Sequence, residues 1–451
     1  MRTIFITAFN PFILRNILVG DALAVLKAGA DSRVVVLVPD YKVDFFRKEI
    51  GGDRVLIEGV KTQIISRQDI FFRFLNSSLA NTSTLLIHKR TQLEKGKNFL
   101  RFFASLLLMK VFGRFKLFRN LSRWMDYLTI DKSRFSRLFD VYRPNLIFAT
   151  DIFHDDDVHL LAEAKACGIK TVGMVRSWDN FTTKGIFRIR PDALIVHNEI
   201  IKDEAKKYSG MSDKEIFVSG IPQYDRYFFG KRMSRDEFFR KIGLDSQKKL
   251  ILFSPFGKRF SDTDWQIMEI LKEFIEKRFI PPSQVLVRFT PNDEVSLGNF
   301  RPSRDFYLDK PGHQFKEGVF RDQELDGRDM EWLADSLANA DVVVAGGASI
   351  GIDAAVFDKP AILVHFDGFE DKPLWQSVKR FADYSHGRLV MDDGSLKSAT
   401  SRDELLDYLK QCLGNPGSGG ELRKKLITRM CWKTDGQSGK RIGDFLADRL
   451  R

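Results

Sequence analysis

Cysteine and histidine are scarce in this chain of 451 residues, which contains 3 Cys and 7 His. The three cysteines, at 167, 412 and 431, form no CxxC pair. A disulfide framework and a structural zinc site are therefore not expected, and a reducing compartment is the default. No apolar run reaches the ~18 residues of a transmembrane helix. The longest candidate, 99–112, is interrupted by two basic residues, and MRTIFITAFNPF is expected to be a first strand rather than a signal peptide.

Positive charge is concentrated in one segment. The net charge is +12, and residues 88–143 hold fourteen Lys and Arg against four acids, which accounts for +10 of it. Large apolar residues alternate with the cations at helical spacing, as in FLRFFASLLLMKVFGRFKLFRNLSRW. This pattern suits an anionic membrane surface, whereas helices with an ordinary solvated basic face are the alternative. Nucleic acid is not expected as a partner, since no recognised nucleic-acid motif accompanies the charge.

Strands alternate with helices twice along the chain, which predicts an α/β protein with two Rossmann-like, doubly wound parallel-sheet domains. The predicted strands are 3–9, 33–38, 55–58, 63–65, 145–150, 170–175, 193–197 and 216–219, then 250–254, 284–289, 341–345, 361–366 and 389–391. The domains are placed at 1–225, with a basic helical insertion at about 88–143, and at 249–432, with 226–248 as a linker and 433–451 as a last helix. Ligands of such sheets bind at the carboxyl ends of strands, here in a cleft between the domains.

The most informative segment is 341–366, DVVVAGGASIGIDAAVFDKPAILVHF. Two buried-strand runs flank a short helix that begins after the small-residue turn Gly346, Gly347, Ala348, Ser349. Glycines let backbone N–H groups approach a ligand, and a helix N-terminus favours an anion. Asp353 lies one turn further on, where a carboxylate can accept from sugar hydroxyls. The segment indicates a nucleotide diphosphate with Ser349 near its phosphates, or a tight connection that binds nothing.

This segment resembles the donor-binding region of GT-B glycosyltransferases, in particular bacterial surface-polymer transferases of the CDP-glycerol glycerophosphotransferase and capsule-synthesis groups. In those families a turn with Ser precedes a short helix, and an acid lies seven positions before the Pro that opens the next strand. Asp353 and Pro360 have that spacing. The resemblance implies phosphate contacts at Ser349 and its neighbours and a ribose contact at Asp353.

Three further segments carry the resemblance, namely SPFGKRF at 254–260, LVRFTPND at 286–293 and DGQSGKRI at 435–442. The first follows a strand and implies that its loop approaches the donor phosphates. The second carries Thr290 where the family often has His. His365, after the second strand of the 341–366 unit, is a candidate contact to the base or sugar, or a buried histidine. The remaining donor-site candidates are Ser254, Lys258, Arg259 and Arg288.

Candidate bases follow two strands of the first domain. The loop VRSWDNFTTKG at 175–185 occupies the place of the WHG…K loop of the glycerophosphotransferases, whose His is a proposed base, but here Trp178 is followed by Asp179. Asp179 is the first candidate, and Asp151 and His154 in TDIFHDDDVH follow it. His154 has a solvated surface histidine as its alternative. The run 155–157 contains a DxD, but acids at a helix start are also good caps.

Asn10, Arg15, Arg176 and Lys184 are placed on the acceptor side by their positions at strand ends, with solvated loop cations as the alternative for the last two. The predicted function is a metal-independent glycosyltransferase without a cofactor. It would move a sugar from a nucleotide-sugar donor to a membrane-associated glycan or lipid-linked acceptor in bacterial surface polysaccharide synthesis. The protein would be cytoplasmic and peripheral on the inner face of the plasma membrane. A polyol-phosphate transferase, a UDP-sugar 2-epimerase and a non-catalytic GT-B binding protein are the alternatives.

Overall fold

A computed structural model describes residues 1–29, 31–61, 65–291, 293–316 and 322–451. The chain forms two compact units, one made of Met1–Asp225 with Cys431–Arg451 and the other of Arg226–Met430. Residues 226–248, predicted to be a linker, lie in the second unit and contain the short helices α11 (Asp225–Phe228, which starts at the boundary) and α12 (Arg235–Ile242). Two α/β units with parallel sheets confirm the predicted fold class.

The first unit is built on a seven-stranded sheet in which every neighbouring pair is parallel, in the order β3-β2-β1-β4-β5-β6-β7. The order reverses between β1 and β4, which makes the carboxyl ends of these two strands the topological switch point. The central strands are buried on both faces, because helices cover both sides of such a sheet. The strands are β1 (Arg2–Thr7), β2 (Ser32–Pro39), β3 (Val55–Val60), β4 (Leu146–Ala149), β5 (Lys170–Met174), β6 (Ala193–Val196) and β7 (Ile216–Val218).

The second unit has a six-stranded parallel sheet in the order β10-β9-β8-β13-β14-β15, with its switch point between β8 and β13. Its core contains an aliphatic and aromatic cluster that includes Phe253, Leu271 and Val344. A separate two-stranded antiparallel pair is formed by β11 and β12. The strands are β8 (Lys249–Ser254), β9 (Ser283–Arg288), β10 (Phe306–Asp309), β11 (His313–Gln314), β12 (Gln323–Glu324), β13 (Val342–Ala345), β14 (Ala361–Val364) and β15 (Lys397–Ala399).

The remaining α-helices connect and cover these strands. In the first part of the chain they are α1 (Asp21–Ala28), α2 (Val43–Ile50), α3 (Arg67–Ser78), α4 (Ser83–Gly96), α5 (Phe99–Lys110), α6 (Lys116–Thr129), α7 (Ser136–Tyr142), α8 (Asp155–Ala166), α9 (Asn180–Lys184) and α10 (Glu199–Glu204). Later in the chain they are α13 (Asp264–Glu276), α14 (Gly327–Asn339), α15 (Ala348–Val356), α16 (Ser385–Met391), α17 (Arg402–Gly414), α18 (Gly420–Cys431) and α19 (Ser438–Leu450).

Two sequence predictions differ from the structure. The strand predicted at 389–391 is the end of helix α16, and the strand of this region is β15 at Lys397–Ala399. A three-residue apolar run cannot distinguish a strand from a buried helical turn, which is why the pattern failed there. The apolar spacing of residues 12–28 predicts one helix, but the structure interrupts it: a π-helical turn at Leu14–Leu18 ends before α1, and Gly20 precedes that helix. The weak strand predicted at 63–65 falls largely outside the described residues.

Helix α19 packs against α1 within the first unit. Gly443 brings the two helices together, since a Cβ at this position would lie 2.6 Å from Val25 Cβ. The backbone N–H groups of Ser438 and Gly439, at the start of α19, donate to the carboxylate of Asp225 at 3.0 and 2.7 Å. The DGQSGKRI segment therefore serves to anchor the end of the chain on the first unit.

A buried ion network attaches the basic helical segment to this unit. Arg188 donates to both carboxylate oxygens of Asp126 on α6 at 2.7 and 2.8 Å, and to Asp69 on α3 at 2.7 Å. Its Nη1 also contacts Asp155, the first residue of α8, at 3.2 Å. Asp126 is 0% exposed, so removal of Arg188 would leave a buried carboxylate without this ion-pair partner. One guanidinium thus fixes three helices in place.

We expect Arg188→Met to lower the free energy of unfolding by about 3–5 kcal/mol, because it leaves buried carboxylates without their counter-ion. Urea denaturation followed by circular dichroism measures this. Arg137→Met is the matched control, since Arg137 is exposed on α7 and should cost less than about 0.5 kcal/mol. A loss at Arg188 no larger than that of the control would contradict the role given to the network.

Candidate functional site

The switch point of the second unit brings together the two segments that the sequence selected. Ala345 at the end of β13 pairs in register with Ser254 at the end of β8, and Gly346 N–H donates to the Ser254 carbonyl at 2.9 Å. The loop 254–260 and the turn 346–349 therefore leave the sheet side by side. This is the position at which doubly wound sheets bind ligands.

Gly346 is the point of closest approach between these segments. A Cβ at this residue would lie 2.5 Å from ring atoms of Phe256, well inside van der Waals contact. The neighbouring Gly347 is different, because nothing lies within 4 Å of the place where its Cβ would stand. The first glycine is thus required by packing, whereas the second leaves open space at the start of α15.

The conformation of the loop 254–260 depends on a buried acid that sequence reasoning did not identify. Asp264, 2% exposed at the start of α13, accepts from the N–H of Phe256 at 2.9 Å and of Gly257 at 2.8 Å. Burial raises the pKa of Asp264 to about 7, although both hydrogen bonds act in the opposite direction. The segment SDTDW at 261–265 shows an acid beside a helix start. Nothing in the sequence indicates that this acid accepts from the N–H groups of two residues earlier in the chain.

Helix α15 presents its N-terminus at this switch point. Its N-cap is Gly347, which offers no side-chain oxygen to the first N–H groups, and its first turn contains no acid. Such N–H groups are suited to a phosphate. Ser349 is exposed and Asp353 half-buried, and as an i, i+4 pair they share one face of α15. Gly346, Gly347, Ala348, Ser349 and Asp353 thus lie at or near the start of α15, and their contact with a donor stays a prediction.

Lys258 and Arg259 lie on the same loop as Phe256. The backbone N–H of Arg259 donates to Asp293 at 3.1 Å, and the side chain of Lys258 is 64% exposed and pairs with Glu294 at 3.3 Å. An ion pair that is so exposed is weak and easily exchanged for another anion. Both cations thus belong to the loop beside α15, and Lys258 is accessible to solvent.

Arg288 and His365 are placed differently, because both are engaged inside the unit. Arg288 is 5% exposed, pairs with Asp309 and donates to the Asp329 carbonyl at 3.2 Å. His365 is 3% exposed, and its Nδ1 lies 2.7 Å from Ser398 Oγ. Burial lowers the pKa of His365 to about 4, so its imidazole is neutral at pH 7. These contacts give both residues a structural role and do not bring them to the surface of the site.

The switch point of the first unit gathers a second polar cluster around Asp151, which follows β4 and is 1% exposed. Its carboxylate accepts from Arg176 Nε at 3.0 Å and Asn10 Nδ2 at 3.3 Å, and Lys184 Nζ lies at 3.5 Å. Burial acts to raise the pKa of Asp151, but Lys184 and Arg176 outweigh it and hold the pKa well below its usual range. A carboxylate so strongly paired is a weak base, so Asp151 positions the two cations.

His154 and the three aspartates after it are helix-terminus residues. His154 is the N-cap of α8 and its Nδ1 accepts from the Asp156 N–H at 3.3 Å, while its ring stacks on Phe9. Burial lowers its pKa. The acids of the run 155–157 form the first turn of the helix, as the capping interpretation expects. Across the described residues, no group of three or more His, Cys, Asp and Glu side chains is arranged to hold a metal ion.

Asp179 lies on the segment between Arg176 and Lys184. It is half-buried, precedes α9 after β5, and its Oδ1 accepts from Ser177 Oγ at 2.5 Å. Arg15 shares a neighbour with this cluster, since its guanidinium lies 4.7 Å from the Phe12 ring centroid and that of Arg176 lies 5.5 Å from the same centroid, while Arg15 Nε donates to Asn16. The structure adds a residue that the sequence did not indicate, His197 after β6, which is 3% exposed and lies near Arg176.

Two parallel-sheet units with loops gathered at each switch point define a GT-B glycosyltransferase-like protein. Solved structures of this type cover nearly the whole chain. A UDP-GlcNAc 2-epimerase from Neisseria meningitidis bound to UDP-GlcNAc has a TM-score of 0.52 and 11% identity, and covers 99% of this chain and 100% of its own. The glycotransferase of kitacinnamycin has a TM-score of 0.50 and 11% identity over 100% and 99%. At such identities the similarity concerns the fold alone.

Similarity in sequence assigns the chain to a family, which the similarity in fold alone does not. Residues 170–448, more than half of the chain, match the family model of CDP-glycerol:poly(glycerophosphate) glycerophosphotransferase. The chain belongs to this family. It is also similar to the UDP-N,N'-diacetylbacillosamine 2-epimerase (hydrolyzing) of Legionella pneumophila, with 23% identity over 168 residues. That match spans 36% of this chain and 41% of the relative.

We expect Gly346→Ala to lower the free energy of unfolding by about 1–3 kcal/mol, because the new methyl group must displace Phe256. Chemical denaturation of the full chain measures the change. Gly347→Ala is the matched control and should cost less than about 1 kcal/mol, since its Cβ meets no neighbour. Equal losses at the two glycines would show that the contact with Phe256 is not what requires Gly346.

Proposed function

We propose that the protein is a glycosyltransferase that binds a nucleotide-sugar at the switch point of the second unit. It transfers the sugar to a hydroxyl of a membrane-associated glycan or lipid-linked acceptor in surface polysaccharide synthesis. The observation that carries this proposal is the junction of the loop 254–260 with the uncapped N-terminus of α15. Family membership supports a nucleotide-linked donor, and the UDP-GlcNAc complex of a structural neighbour supports a nucleotide-sugar.

The donor site supplies what the departing diphosphate needs. The N–H groups at the start of α15 and the cations Lys258 and Arg259 compensate the charge that develops when the diphosphate leaves. Ser349 donates to a phosphate oxygen, and Asp353 accepts from ribose hydroxyls. Because helix and side chains carry this charge, the proposed reaction requires neither a metal ion nor a cofactor.

The acceptor side supplies a base. In an inverting transfer, the Asp179 carboxylate takes the proton of the acceptor hydroxyl, while the oxygen of that hydroxyl bonds to the anomeric carbon. The bond from that carbon to the diphosphate oxygen breaks, and its electron pair leaves with the nucleotide. Arg176 and Lys184, held by Asp151, bind an anionic group of the acceptor, with Asn10 and Arg15 beside the same strand end.

Transfer of a polyol phosphate is the second candidate, because the family model describes a glycerophosphotransferase. Two differences between this chain and the glycerophosphotransferases favour the transfer of a sugar. Asp179 stands where the resemblance places the proposed histidine base of the glycerophosphotransferases, and Thr290 replaces a second histidine. A carboxylate base is compatible with an inverting glycosyl transfer.

We expect a nucleoside diphosphate to raise the melting temperature of the protein by several degrees at 100 times its Kd, because a ligand of the folded state stabilises it by about 2.7 kcal/mol there. UDP, GDP, CDP and CMP-linked compounds are compared by differential scanning fluorimetry. Ser349→Ala and Asp353→Asn should weaken the response about tenfold or more. Asp407→Asn, on the exposed face of α17, is the control and should respond like the wild type.

Product analysis with the nucleotide found in this way separates the alternatives. Incorporation of radiolabel from a nucleotide-sugar into membrane glycan supports sugar transfer, and incorporation from CDP-glycerol supports the second candidate. Formation of the 2-epimer without an acceptor would replace both with an epimerase. No melting shift with any nucleotide would contradict the donor site itself.

We further propose that α5 and α6 attach the protein to an anionic membrane. Within the part of the chain that the structure describes, no helix is long and apolar enough to cross a membrane. Eleven large apolar side chains of residues 99–128 are nevertheless exposed, which is costly in water unless a partner covers them. They are Phe99, Leu100, Phe103, Leu107, Val111, Phe115, Leu117, Leu121, Trp124, Met125 and Leu128. Basic residues of the same segment would meet the lipid headgroups.

The double variant Leu100→Ser, Phe103→Ser should bind phosphatidylglycerol vesicles at least tenfold more weakly, because it removes two of the most exposed apolar side chains of α5. Co-sedimentation at low and high salt measures this, with phosphatidylcholine vesicles for comparison. Phe229→Ser, Leu374→Ser is the matched control with exposed apolar residues elsewhere. Equally poor sedimentation with both lipids would disprove the docking proposal.

A further inference from the structure

Lys89 on α4 is a buried cation without an acidic partner. It is 6% exposed, and its ammonium donates to Ser77 Oγ on α3 at 2.9 Å. The same ammonium lies 4.6 Å from the centroid of the Phe74 ring, also on α3. Among the residues that the structure describes, no carboxylate lies within 4 Å of it. A buried charge is costly unless an opposite charge compensates it, so this ammonium calls for an anion.

A second cation approaches the same aromatic ring. Arg101, an exposed residue in the first turn of α5, has its guanidinium carbon 4.8 Å from the Phe74 centroid. Helix α5 packs against both α3 and α4, which brings the two cations together at one place. An aromatic ring attracts a cation, but it carries no net charge and does not cancel the repulsion between two of them. Burial, and then the positive charge of Arg101, lower the pKa of Lys89 to about 8.

Both cations have hydrogen-bond donors to spare. An ammonium has three donors, of which Ser77 takes one. Ser77 in turn donates to the Phe74 carbonyl at 3.0 Å, so its oxygen orients the ammonium. The guanidinium of Arg101 donates to no residue in the described ranges. Two N–H groups of Lys89 and the fork of Arg101 therefore remain for a ligand, and such a set suits the several oxygens of a phosphate.

The neighbours of Arg101 on α5 indicate where such a phosphate would come from. Leu100 is 86% exposed and Phe103 is 62% exposed, and both belong to the apolar set proposed above to enter a membrane. Apolar side chains of an interfacial helix reach the boundary between headgroups and acyl chains. Cations next to them then lie at the level of the lipid phosphates.

We propose that Lys89 and Arg101 form a binding site for the phosphate of an anionic phospholipid. The phosphate compensates the two cations at Phe74, while Leu100 and Phe103 contact the acyl chains. This inference deepens the membrane attachment proposed above and rests on it for the identity of the ligand. It adds a defined headgroup site to an attraction that would otherwise be spread over the whole basic segment.

The site is tested first without a membrane, by isothermal titration calorimetry with dihexanoyl phosphatidylglycerol below its critical micelle concentration. The wild type should bind this lipid, and Arg101→Gln should bind it about tenfold more weakly or worse, because charge-assisted hydrogen bonds to the phosphate are lost. Arg114→Gln is the matched control. It removes the same charge from an exposed position of the same segment and should bind within about twofold of the wild type. No binding by the wild type, or an equal loss in both variants, would overturn the site.

Lys89→Gln tests the buried cation and should show a loss similar to that of Arg101→Gln. Its control is Arg90→Gln, since Arg90 is the next residue of α4 but is exposed. Melting temperatures are compared for all variants, because Lys89 is buried. Wild-type affinity in a folded Lys89→Gln would refute its part in the site, and the exposed Arg101 provides the test if that variant does not fold.

Inorganic phosphate distinguishes a soluble ligand from a lipid headgroup. It offers the same oxygens without acyl chains, so it should bind about tenfold more weakly than the short-chain lipid or worse. Inorganic phosphate that binds as tightly as the lipid would assign the site to a soluble phosphate compound and overturn the lipid assignment.

Vesicle co-sedimentation separates this inference from the docking proposal. Phosphatidylcholine vesicles with one fifth phosphatidylglycerol are used in about 0.5 M NaCl, where attraction between distant charges is screened. Arg101→Gln should still bind about tenfold more weakly than Arg114→Gln. If the wild type sediments and the two variants do not differ, the headgroup site fails and docking by the apolar side chains stands. If the wild type does not sediment although calorimetry shows the bound lipid, the docking proposal fails and the phosphate site stands.

Discussion

The contact between Gly346 and Phe256 is the constraint on which the candidate donor site depends. Two loops that leave neighbouring strands can form one surface only if their backbones approach closely, and a side chain at 346 would prevent this. The contact places the N-terminus of α15 beside the loop that carries Lys258 and Arg259. Asp264 stabilises the same loop, since its carboxylate accepts hydrogen bonds from the N–H groups of residues 256 and 257. The proposed anion site would thus be assembled largely from the backbone at the start of α15, with few side chains.

Buried charge organises the first unit in a comparable way. Arg188 ties α3, α6 and α8 together, and Asp151 holds Arg176 and Lys184 at the switch point. In both clusters the charge is balanced by a fixed partner, so these residues determine positions rather than move protons.

Much of the fold was predictable because it depends on local patterns. Apolar β-branched runs bounded by Gly and Pro identified most strands, while the donor site that the turn at 346–349 and Asp353 indicate stays a prediction. Residue pairing across the fold was not predictable. Nothing local indicates that Arg288 pairs with Asp309, that His365 packs on Ser398 or that Asp264 holds a loop eight residues earlier. His197 was missed because its burial is a property of the folded chain.

The central claim is that the loop 254–260 and the turn 346–353 together bind a nucleoside diphosphate. Hydrogen–deuterium exchange of the full chain, with and without saturating UDP, GDP or CDP, tests it most directly. The account predicts that one of these nucleotides slows exchange of backbone amides in both segments, since the ligand would contact the N–H groups of the turn and the cations of the loop and so stabilise both. Protection in neither segment, or only elsewhere in the chain, would contradict it.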